Sequence, residues 1–130
     1  MILAAIIILV IVLSFVGTEL GKYNSKKDEI IRVSRSVAIY PKFKEIDNAD
    51  EIKRINAIIG KVNWQKDIEK PLDEKDYSFW TERKGDNRRF LDYDIWFDEQ
   101  TIVWDPTTNK YGYITNVNEI DYLKEVLSFY

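Results

Sequence analysis

The chain has 130 residues, 32% of them charged, a formal charge of -3 and neither Cys nor His. Acidic and basic residues are interspersed over one domain's length, which excludes a basic phosphate-binding stripe and with it a nucleic-acid role. Lacking thiols and imidazoles, the chain cannot build a disulfide, a thiolate metal site, or any Ser-His-Asp, Cys-His or HExxH mechanism. No catalytic residue, metal site or small-molecule cofactor is expected.

Met1 to Val16 (MILAAIIILVIVLSFV) carries no charged side chain. As a helix it spans about 24 Å, somewhat short of a hydrocarbon core. A helix buried in a soluble domain shows a polar face, and this segment has none. The expectation is a membrane anchor or signal-like helix over 1-17, a polar spacer over 18-27 and a single α+β domain over 28-130. An uncleaved anchor is favoured over a cleaved signal, because Phe15 stands where cleavage wants a small residue and no lipobox Cys exists. Lys22, Lys26 and Lys27 follow the segment, and the positive-inside rule alone would place the domain in the cytoplasm.

Beyond the spacer, Ile30, Ile31, Val33, Val37 and Ile39 alternate loosely with Arg32, Ser34, Arg35 and Ser36, the pattern of a strand. Tyr40-Pro41 breaks it, and Phe43 to Ile46 reads as a second short extended piece. Asn48 and Glu51 have capping-box spacing ahead of Ile52, Ile55, Ile58 and Ile59, which mark one helical face before Gly60 stops the helix. Residues 64–75 are irregular around Pro71. Strands are then expected at Tyr77–Thr81, Arg88–Phe97, Thr101–Trp104 and Tyr111–Thr115, with turns at Lys84–Asn87, Asp98–Gln100 and Asp105–Lys110. Asn116 and Glu119 open a last helix whose buried side holds Val117, Ile120, Leu123 and Leu127. The fold class is α+β: an antiparallel sheet of about five strands, in the order β-α-β-β-β-β-α, with two helices packed on one face.

Several of these segments also carry a resemblance. The isoleucine-rich helix, DYSFW at Asp76–Trp80, YDIWFDE at Tyr93–Glu99, YGYIT at Tyr111–Thr115 and YLKEVL at Tyr122–Leu127 resemble the YhfM-like domain of small uncharacterised Gram-positive envelope lipoproteins. The likeness covers roughly the last two-thirds of the chain and includes no catalytic signature. It implies a domain outside the cytoplasmic membrane and brings no known activity. The family's lipidated Cys is missing here, so a membrane helix would replace the lipid. This implication outweighs three lysines, and the expected location is the cell membrane, single-pass, with the C-terminal domain extracytoplasmic.

Period-two reading of the longest strand puts Leu91, Tyr93, Ile95 and Phe97 on a core face. Arg88, Phe90, Asp92, Asp94 and Trp96 fall on the other face, with Trp80 or Trp104 as neighbours. If the helices cover only the first face, Phe90, Asp92, Asp94, Trp96 and Trp80 make an outward aromatic and acidic patch suited to a protein partner. Phe90 and Trp96 could instead pack under the irregular 62–75 loop. Asp92 and Asp94, with Cα atoms about 6.8 Å apart on a strand, have a spacing compatible with glycoside hydrolysis, but an open sheet offers no deep cleft to raise one pKa. Asp47, Asn48, Asp50 and Glu51 are dense in oxygen ligands but lack the EF-hand spacing and its Gly, and helix capping already explains Asn48 and Glu51, so no calcium site is expected. The expected function is a non-enzymatic protein- or peptide-binding module tethered to the membrane through residues 1-17, with an envelope protein or peptide as partner. An inhibitor or immunity-type protein is the alternative, and a carboxylate-dependent hydrolase the third reading.

Overall fold

The structure, a computed structural model, describes residues 29–37 and 40–129. The anchor and the spacer lie outside the described residues. Among those described, no helix is long and apolar enough to cross a membrane.

The element order is β1 (Glu29–Val37), β2 (Tyr40–Ile46), α1 (Ala49–Gly60), β3 (Tyr77–Arg83), β4 (Asp86–Phe97), β5 (Thr101–Asp105), β6 (Lys110–Ile114) and α2 (Val117–Leu127). All six strands form one antiparallel sheet in the order β2-β1-β3-β4-β5-β6. The α+β class stands, with six strands where about five were expected. The additional strand is β2: the break at Tyr40-Pro41 turns the chain back on β1, and Phe43 pairs with Ser34. Proline is tolerated there because β2 is an edge strand.

One sheet face carries the core. Ile31, Val33, Ile46, Phe79, Ile95, Val103 and Ile114 pack against Ile52, Ile55, Ile58 and Ile59 of α1 and Leu123, Val126 and Leu127 of α2. Asn48 caps α1, its side chain accepting from the backbone N–H groups of Asp50 and Glu51 at 3.0 and 3.1 Å. Asn116 does the same for α2 with Asn118 and Glu119 at 3.0 and 3.2 Å. Each cap satisfies N–H groups that the first helical turn leaves orphaned. Helix α1 ends at Gly60, as expected, but without left-handed backbone; Lys61 closes it from the αR region. Val117 departs from expectation: it is 67% exposed in the first turn of α2, and Val126 takes the buried place instead.

The alternation expected for β4 fails at Leu91. This residue adopts φ +52 and inserts a bulge, so that Phe79 faces Tyr93 while Thr81 faces Phe90. Two positions along β3 correspond to three along β4, which inverts the parity of everything before the bulge. Leu91, expected in the core, is 51% exposed. Tyr93, Ile95 and Phe97 keep their places toward the helices.

Candidate functional site

The sheet's second face is organised by a row running across all six strands. Phe43, Ser34, Ser78, Asp94, Trp104 and Tyr111 are successive cross-strand partners. Partners in an antiparallel ladder point to the same side, so this row lies opposite the helices. Two different covers lie over its two halves.

Over β4 to β6 the cover is the connection between α1 and β3, a strap spanning residues 61–76 that starts on the helix side, where Val62 and Trp64 pack on the core, and then rounds the β6 edge. It is pinned at the β6 edge by reciprocal backbone bonds between Gln65 and Tyr111, at 2.8 and 2.9 Å. Close to that anchor Gly112 is required, because a Cβ there would stand 2.1 Å from Val62 Cγ1. Trp96 donates its indole N–H to the backbone oxygen of Asp73 at 2.9 Å, and Asp76 N–H donates to Ile95 O at 2.9 Å. Lys70 approaches the ring of Trp104, 5.9 Å from its centre. Beneath the strap, Asp94 is buried yet accepts from Ser78 Oγ at 2.6 Å and Lys75 Nζ at 3.2 Å. A carboxylate removed from water needs such partners. The cleft left between strap and sheet has a volume of about 340 Å³ and is lined by Pro71, Asp73, Lys75, Asp94 and Trp96, among others.

Over β1 to β3 the cover is made of side chains. Trp80 is only 3% exposed. Arg89 lays its guanidinium 3.8 Å above the ring and Phe43 meets it edge-on at 6.4 Å. The indole N–H donates to Glu82 Oε1 at 3.2 Å, and Arg32 joins Glu82 to Glu45, the latter at 2.9 Å. Phe43 is itself 55% exposed. This half is therefore an apolar stack with a polar rim, open to solvent at Phe43.

The chain matches no protein-family model, no curated protein and no solved structure.

The outward aromatic and acidic face expected from sequence is corrected at four of its five residues. Trp96, at 1% exposure, lies beneath the strap, which is the arrangement the irregular 62–75 loop allowed. Trp80 and Asp94 share its face but are buried too. Phe90, displaced by the Leu91 bulge, sits opposite Thr81 on the helix side, with the Arg83 guanidinium 5.7 Å from its ring centre. Asp92 remains half-buried, and burial, followed by the nearby Asp94 charge, pushes its carboxyl above the usual range. Sequence reasoning missed Phe43, Arg89 and Arg32. Phe43 was readable, being a ring alternating with lysines in an edge strand; Arg89 was not, because its side depends on the bulge.

Chemically the arrangement favours contact. Asp94, the more buried of the two strand carboxylates, is bound to a hydroxyl and an ammonium. Among the described residues no group of three carboxylates is placed to hold a metal ion.

Proposed function

We propose that the chain is a membrane-tethered, extracytoplasmic module that binds a protein or peptide and catalyses no reaction. The observation that supports it most is the stack at Phe43, Trp80 and Arg89. It presents an aromatic ring on an edge strand, backed by a buried indole and ringed by ion pairs, the composition found at interface centres. The absence of His and Cys supports the non-enzymatic half of the reading. The charge-free opening segment supports the tether, and the resemblance to YhfM-like envelope domains supports the extracytoplasmic side.

Cross-linking in intact cells, with protease added outside to a C-terminally tagged chain, tests both halves together. The tag is expected to be accessible, and Phe43→Ala is expected to remove the cross-linked species while leaving the domain folded. Unchanged cross-links in the folded Phe43→Ala chain would refute the binding surface. A tag shielded until the membrane is opened would refute the orientation.

A further inference from the structure

The two edges of the sheet are treated differently. At β6 the outer side is met by the strap, through the two backbone bonds between Gln65 and Tyr111. At β2 no strand or bridge lies outside among the described residues, so its outward N–H and C=O groups are left to solvent or to a partner.

The charges on this edge are also unbalanced. Lys42 and Arg35 are direct cross-strand partners, and like charges so placed repel. Neither has an ion pair, hydrogen bond or ring contact among the described residues. Their neighbour Lys44, by contrast, donates to Ser128 O at 2.5 Å. A second copy of this chain is a poor supplier of the missing anions. Antiparallel self-pairing of β2 centred on residue 42, 43 or 44 sets lysine against lysine, and centring on Glu45 sets that residue against itself.

We infer that the free edge of β2 accepts an extended acidic peptide segment as a seventh strand. Main-chain bonds to β2 hold such a segment, as in other strand additions. Its carboxylates, at alternate positions, lie on the helix side beside Lys42, with the like charge of Arg35 one strand further in. Apolar side chains between them lie over Phe43 on the other. This rests on the binding-module reading and specifies the chemistry of its partner.

The probe is a fluorescent peptide of alternating glutamate and valine, with a lysine–valine counterpart, added to the full chain in detergent and followed by anisotropy. The acidic peptide is expected to bind about tenfold more tightly than the basic one, the difference between an attractive and a repulsive cross-strand contact at Lys42. Lys42→Glu should reverse the preference. N-methylation of alternate residues should abolish binding in one phase of the alternation and spare it in the other, because only one set of amides meets β2. Equal binding of the two peptides, binding by neither, or indifference to N-methylation would overturn strand addition. So would the finding that Lys42→Thr merely makes the chain dimerise while the natural chain binds no peptide, since Lys42 would then serve only to prevent self-pairing. If Phe43→Ala removes cellular cross-links but no peptide binds, the module stands and strand addition fails. If the cross-links survive, the module reading fails whatever the peptide does.

Discussion

Trp96 reaches back 23 residues to donate its indole N–H to the backbone oxygen of Asp73 at 2.9 Å. This bond lets the largest fully buried side chain of the domain sit on the face without helices. An indole can be buried only if its N–H finds an acceptor, and the strap provides one. The strap is thereby a second, smaller cover over the sheet, and the domain buries aromatic residues on both faces.

Trp96→Phe keeps much of the apolar volume and removes the donor. It should cost about 1–3 kcal/mol, from the lost bond and the partial void. Its effect should be local: tryptic cleavage after Lys66 and Lys75 should accelerate more than cleavage after Lys53 in α1. A uniform change at all three sites would show that Trp96 supports the whole sheet and not the strap in particular.

The legibility of this chain varied with the range of the physical signal. Both helices were readable because Asn48, Asn116 and the isoleucine or leucine spacing act within a few residues. The strands of the meander were readable from short turns, and the hairpin glycine, Gly85 at φ +82, is the sort of residue such a turn selects. Exposure on the second face was not readable. Whether Trp96 is covered depends on where residues 66–75 are laid down, and no local pattern encodes that. Parity in β4 failed for a different reason: Leu91 has no sequence mark of a bulge, since an apolar residue in an apolar-aromatic run looks like core. The partner-facing set therefore moved from β4 toward β2, with Phe43 and Arg89 replacing Phe90 and Trp96 at the open side.

Leu91 holds a left-handed backbone conformation that its Cβ disfavours by roughly 1 kcal/mol or more. Its side chain is half exposed, so little packing offsets that cost. Leu91→Gly should stabilise the domain by up to about 1 kcal/mol, whereas Leu91→Val should destabilise it, β-branching being poorly tolerated at positive φ. Urea unfolding of the two variants checks this. If glycine is the less stable of the pair, the bulge is not where the strain lies.

Gly112 meets the strap so closely that an added methyl would overlap Val62 Cγ1 and approach Asn63 O to 3.1 Å. Gly112→Ala should cost about 1–3 kcal/mol, as overpacking does elsewhere. Pairing it with Val62→Ala removes the nearer obstacle, although the backbone oxygen stays. The double variant should therefore lose less than the sum of the two single variants. Strict additivity in urea unfolding would mean that β6 and the strap do not touch at Gly112.

Asp92 gives the domain a defined pH response. Burial first, and then the charge of Asp94, raise its carboxyl above the ordinary value; Arg89 and Lys75 oppose the shift and Asp105 adds to it. In the window between the ordinary value and the raised one, the folded chain holds a proton that the unfolded chain has released. Stability contributed by this group therefore falls as pH rises through that window, and above it the cost of the half-buried charge is fully present. Asp92→Asn removes the charge at every pH. Its unfolding free energy relative to the natural chain should be least favourable at acid pH, rise through the window above the ordinary carboxylate value, and level off beyond it with the variant the more stable. Comparing the two chains at each pH cancels the responses of other carboxylates, including Asp86, whose carboxyl is lowered by its bond to Arg88. A difference that stays flat from pH 3.5 to 7.5, or that runs in the opposite direction, would mean that Asp92 is solvated in the folded chain and that Leu91 and the strands beside it leave its carboxylate open to water.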